Sequence, residues 1–233
     1  MKKNILLIFA SLLAIFLAAC NDDNDDAEVQ EENNTEEAVQ LEITDDEVVD
    51  VEEVVISVNG NEITGDKYNN TYRQWKTMLH MYGQDVSDVD ALKEETLSIL
   101  TERELIRQDA IDSGIEVTDE EAQEEMENLI EQNGEEAVAA LQEQYGLSEE
   151  EFLEQLKDDL LTVKYIESKF EVDVTDEEVE ERYEQLKEQH EDLGELEEFE
   201  DVLRQNIMEE KQNELLNERL SELKEEADIE TFI

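Results

Sequence analysis

Proline is absent from the 233-residue chain, cysteine occurs once, at Cys20, and there are seven glycines, two histidines and only 17 lysines and arginines. Each scarcity excludes something. Without proline, the chain's own folding has no slow prolyl isomerisation. One cysteine closes no intramolecular disulfide, so stability must come from packing. The glycines form no P-loop, no Gly-x-Gly-x-x-Gly and no Gly-x-Ser-x-Gly elbow, which removes the usual nucleotide cradles and the serine-hydrolase turn. His80 and His190 fall in different predicted helices and lack the ligand spacing of a zinc site. The few bases face 70 acids, for a formal charge of −53. Nucleic acid is therefore excluded as a partner, and anionic headgroups repel the chain.

Long apolar runs are missing too, except at the start. Lys2 and Lys3 precede an apolar stretch from Ile5 to Ala19 broken only by Ser11, too short to span a bilayer and patterned as a cleavable signal peptide over residues 1–19. Leu17-Ala18-Ala19-Cys20 resembles the lipobox of bacterial lipoproteins. That resemblance implies cleavage before Cys20, lipidation of its thiol by diacylglycerol (with palmitate as an acyl chain) and attachment to the extracytoplasmic face of the cell membrane. Because the headgroups repel so acidic a chain, attachment would rest on acyl chains alone.

From Asn21 to Glu53 there are sixteen acids and no Lys, Arg, aromatic, Gly or Pro. Such a composition buries too little apolar surface to order itself, so residues 20–53 are expected to form a lipidated, disordered acidic spacer. Asn21, Asp23, Asp25 and Glu32 approach the ligand spacing of a calcium loop. Asp26 stands where its turn glycine belongs, and no metal site is expected. Self-repulsion at this charge implies a salt-loving or alkaline habitat, since salt shortens the Debye length and relieves it.

The folded part is expected over residues 54–233. Val54-Val55-Ile56-Ser57-Val58, then Asn59-Gly60, then Asn61-Glu62-Ile63-Thr64 is a strong hairpin signal. Tyr68, Tyr72, Trp75, Leu79 and Tyr82 recur at helical spacing before Gly83. A second helix is expected from about 88 to 112, started by Ser87 and stopped by Gly114. Thr118-x-x-Glu121, Ser148-x-x-Glu151 and Thr175-x-x-Glu178 are capping boxes that start helices near 119–132, 149–170 and 176–189. A shorter helix fits 135–144. A closing helix spans about 197–226, and residues 228–233 alternate polar and apolar like a strand whose only available partner is the hairpin. The fold class is mainly α with a small sheet joining the chain's two ends.

These residues resemble a known family. Val54 to Thr64, the Tyr-containing helix, Leu100-Thr101-Glu102-Arg103-Glu104-Leu105-Ile106 and the capped Val-Thr-Asp-Glu-Glu segments are similar to the chaperone domain of the SurA and PrsA extracytoplasmic foldases. Lys211-Gln212-Asn213-Glu214-Leu215-Leu216 with Leu220 and Leu223 resembles the closing helix of PrsA. Relatives keep a parvulin prolyl isomerase domain before that helix, whereas here only about Glu191 to Leu196 intervenes, far too little for a domain. The resemblance implies a chaperone-like protein that binds unfolded or partly folded exported polypeptides and uses no cofactor. Residual peptidyl-prolyl cis-trans isomerase activity, or docking of one specific envelope partner, are the alternatives. Client contact calls for adaptable apolar side chains, and Trp75, Met78, Met81 and Tyr82 are the candidates; Met78 and Met81 are expected at an exposed rim beside a buried Tyr72, Trp75 and Leu79 stripe.

Overall fold

The computed structural model describes residues 43–189 and 194–233. The leader, Cys20, the calcium-loop candidates and His190 lie outside the described residues. Strands β1 (Val54–Val58) and β2 (Asn61–Thr64) form the expected hairpin. Asn59 and Gly60 both have positive φ, 52° and 82°, as a two-residue turn matched to strand twist requires. Ile56 pairs with Ile63, Ser57 with Glu62 and Val58 with Asn61. An irregularity between Val54 and Ile56 interrupts the alternation, so Val55 and Ile56 are buried in succession. Strand β3 (Ile229–Thr231) lies antiparallel on the other side of β1, giving the order β2-β1-β3. The late strand does return to the early hairpin.

Seven helices occupy the rest of the described residues: α1 (Gly65–Met81), α2 (Val89–Asp112), α3 (Asp119–Asn133), α4 (Glu135–Tyr145), α5 (Glu149–Lys169), α6 (Asp176–Gln189) and α7 (Leu196–Glu226). All three capping boxes form. At the start of α6, for example, the Glu178 N–H donates to Thr175 Oγ1 at 3.3 Å while the Thr175 N–H donates to the Glu178 carboxylate at 2.9 Å. The start of α2 corrects the expectation: Asp88 rather than Ser87 supplies the cap, accepting the Ala91 N–H at 3.1 Å. A carboxylate there also meets the positive end of the helix dipole. Gly83 ends α1 with φ 67°. Its N–H reaches the His80 carbonyl and that of Gln84 reaches Leu79, both at 2.9 Å, the paired bonds of a glycine-stopped helix.

The acidic segment departs from expectation. Residues 43–53, expected within the disordered spacer, are laid along α1. The side-chain amide of Asn69 accepts the Val49 N–H at 3.0 Å and donates to the Val49 carbonyl at 2.9 Å, pairing the backbone as a strand would. The Gly65 N–H donates to Glu53 at 2.8 Å and the Asp66 N–H to Val51 at 3.1 Å. A side chain on Gly65 would place its Cβ 2.0 Å from the Asp50 carbonyl oxygen. Only glycine admits this approach. Composition misled because the segment's order comes from backbone pairing and one buried carboxylate rather than from apolar area.

The chain divides into two compact units. One gathers the described residues up to Glu102 with 130–152 and 229–233; the other takes 103–129 and 153–228. In the first, α1 packs on both hairpin strands and on α4, burying Val55, Val58, Tyr68 and Tyr72 completely. In the second, α6 and α7 form a helical hairpin around Val179, Tyr183, Leu203 and Ile207. Arg204 bonds the Val174 carbonyl and Asp176, each at 2.7 Å, and Lys211 bonds the Asp173 carbonyl at 2.7 Å. Within the same unit Arg219 grips Asp109 through two nitrogens, at 2.8 and 3.0 Å, and the Tyr165 hydroxyl donates to the same carboxylate.

Candidate functional site

Helix α1 is buried on two faces. Trp75 and Met78 are only 4 % and 2 % exposed, with Thr71 and Gln74 beside them; the Trp75 indole N–H donates to Glu95 at 2.7 Å. Asn69, Tyr72 and Lys76, at i, i+3 and i+7, make a second face that the 43–53 segment covers. Met78 is therefore core, which corrects its assignment to an exposed rim, and Trp75 is likewise closed to a partner. Thr71, Gln74, Trp75 and Met78 share one buried face at i, i+3, i+4 and i+7, whereas Leu79, expected in the stripe, is only half-buried.

Met81 and Tyr82 are different. They sit at the C-terminal end of α1, 48 % and 54 % exposed. Tyr82 caps the helix with φ −84° and ψ 9°, so it leaves the helical line, and the Gly83 stop holds the pair in a fixed place. The amide of Gln144, near the end of α4, donates to the Met81 sulfur at 3.0 Å. Burial pushes the hydroxyl of the neighbouring Tyr145 above its ordinary pKa, with a further rise from Tyr82, so it stays neutral. Arg73 of α1 bonds the Gly146 carbonyl at 3.3 Å, and Asn70 bonds Glu151 at 2.9 Å, fixing α4 and the start of α5 beside α1. The result is a small thioether and aromatic surface on a rigid support, suited to transient contact with varied apolar side chains.

The covered face of α1 holds a buried polar cluster that sequence reasoning missed. Glu47, 2 % exposed, pairs with Lys76, itself 6 % exposed. It also accepts the Tyr72 hydroxyl at 2.6 Å and the Thr44 N–H and hydroxyl at 2.7 Å each. Burial alone would push the Glu47 carboxyl up, but the bonds from Lys76, Tyr72 and Thr44 outweigh it and hold it at about 2. Burial, with Glu47 nearby, lifts the Tyr68 hydroxyl to about 12. The signal available in the sequence was Lys76, a base one turn beyond Tyr72 on a helix whose neighbouring positions Thr71, Gln74 and Trp75 bury themselves, which asks for an acid.

His80 is exposed, and among the described residues no three His, Cys, Asp or Glu side chains converge to hold a metal. No helix among them is long and apolar enough to cross a membrane.

The SurA-like N-terminal domain model matches residues 42–166, more than half the chain. The chain belongs to this family. The match to the SurA-like domain begins at the docked acidic segment rather than at the hairpin, in agreement with Glu47 and Val49 being part of the fold. It takes in α1, α4 and the Met81 and Tyr82 surface, and it places the protein in a chaperone-like foldase family. No parvulin domain is matched; the described residues after the SurA-like region are the end of α5, then α6, α7 and β3. No curated protein matches the chain.

Proposed function

We propose that the protein is a lipid-anchored holding chaperone on the extracytoplasmic face of the cell membrane, binding unfolded or partly folded exported polypeptides without turnover. The observation that carries this reading is the exposure of Met81 and Tyr82 on a fixed helix end, inside a SurA-like domain. Apolar contact there is weak and adaptable, so it favours holding many sequences over selecting one. The surrounding acids supply the second half of the mechanism: a chain at −53 keeps its complexes apart in solution. Cys20 would carry the lipid, and the acidic residues that follow it would act as the tether.

Suppression of aggregation of several unfolded secreted proteins tests the reading. The expected outcome is suppression that rises with chaperone concentration and falls when Met81 and Tyr82 are both changed to Ser, with the circular dichroism of the double variant unchanged. No suppression at severalfold excess over every client would contradict it.

A further inference from the structure

The outer edge of β3 is open. The sheet order is β2-β1-β3, so β3 is a boundary strand, and among the described residues no other strand pairs with it. The Phe232 N–H points inward, to the Val55 carbonyl at 3.0 Å. Backbone alternation then turns the Glu230 N–H inward as well and directs the N–H and C=O groups of Ile229 and Thr231 outward. Ile229 and Phe232 are exposed on this strand and at its end. A free row of donors and acceptors beside exposed apolar side chains is what strand addition uses.

The charge beside that edge selects the occupant. Ser57 pairs with Glu62 on one side and with Glu230 on the other, so two exposed carboxylates share one cross-strand row on one face of the sheet. Ile229 and Thr231 stand in the rows on the opposite face. An added strand would meet Glu230 with one set of its side chains and Ile229 with the alternate set. A second copy of this chain would bring Glu230 against like charge in a molecule at −53, and the stretch from Asn21 to Glu42 is just as acidic. Both are disfavoured occupants.

We propose that the β3 edge binds client chains by strand addition and prefers extended segments that alternate basic and apolar residues. The proposal rests on the reading of the protein as a holder of unfolded polypeptides, and it names a client class that Met81 and Tyr82 alone would not select.

The test uses the full chain and two peptides of identical composition, one alternating Lys and Ile and one with the same residues in blocks. Binding of the alternating peptide is expected, with NMR amide protection appearing at Ile229 and Thr231. The blocked peptide should bind about tenfold more weakly. Thr231→Pro removes one outward donor and leaves the inward bonds of Glu230 and Phe232 in place, so it should abolish the difference between the peptides. Glu230→Lys, which leaves the backbone alone, should move the preference to an alternating Glu and Ile peptide. Equal affinity for the two peptides, protection at Met81 and Tyr82 in place of β3, or unchanged binding by Thr231→Pro would overturn the proposal. So would β3 protection that grows with protein concentration alone, since the occupant would then be a second copy. If aggregation suppression persists while these peptide results fail, the edge proposal falls and the holding reading stands.

Discussion

At the scale of the residue, Glu47 decides where the fold begins. Its carboxylate joins a segment of acidic, apparently featureless composition to Lys76 and Tyr72 inside α1's covered face. Removing one partner of a buried pair leaves the other charged and desolvated, so Glu47→Ala should destabilise the first unit by about 3–5 kcal/mol, read by chemical denaturation. The pH dependence follows from the same bonds. The folded carboxyl sits at about 2 against an ordinary value of 4.5, so its contribution is complete above pH 4.5 and is lost as pH falls from there toward 2. Glu47→Gln should therefore flatten the acid side of the stability profile in that window; a profile parallel to that of the unchanged protein would count against the cluster. Cys20 is a different case, a residue for which the sequence raises an expectation of lipidation and which lies outside the described residues.

At the scale of the element, local chemistry was legible and tertiary cover was not. Thr118, Ser148 and Thr175 announce helix starts because a hydroxyl and a carboxylate three residues apart satisfy free N–H groups without help from the rest of the fold. Asn59-Gly60 announces the hairpin for a similar reason, since few residues accept positive φ. Thr175→Ala should accordingly cost about 0.5–2 kcal/mol and loosen the first turn of α6, measurable as faster amide exchange at Glu177 and Glu178 with α7 unaffected. What the sequence hides is cover: Met78 is core on the face it shares with Thr71, Gln74 and Trp75, a second face lies under residues 43–53, and the spacing of the aromatic residues announces neither. The same blindness made residues 43–53 look unstructured. Met81 and Tyr82 were legible as candidates, and they are the two of four that remain open.

At the scale of the whole molecule, charge governs behaviour. With 70 acids against 17 bases, self-repulsion works against the compact state and salt screens it. Thermal stability should rise from dilute buffer to molar salt; equal or higher stability in dilute buffer would contradict the expectation of a salt-loving or alkaline habitat. With the proposed lipid on Cys20, acyl chains would supply the attraction to an anionic membrane that the charge opposes. Cys20→Ala should release the protein from the membrane fraction of expressing cells, and retention there would show that the anchor lies elsewhere.

The exposed thioether and aromatic surface is proposed to hold many unfolded exported chains. A photo-crosslinking amino acid at position 82, in cells, tests this most directly, with exposed Glu177 as the control position. A holding protein captures a broad spread of exported proteins from position 82 and few from position 177, and the spread widens when secretion is raised. A single dominant adduct from position 82, unchanged by secretion load, would contradict it and identify a docking protein with one partner.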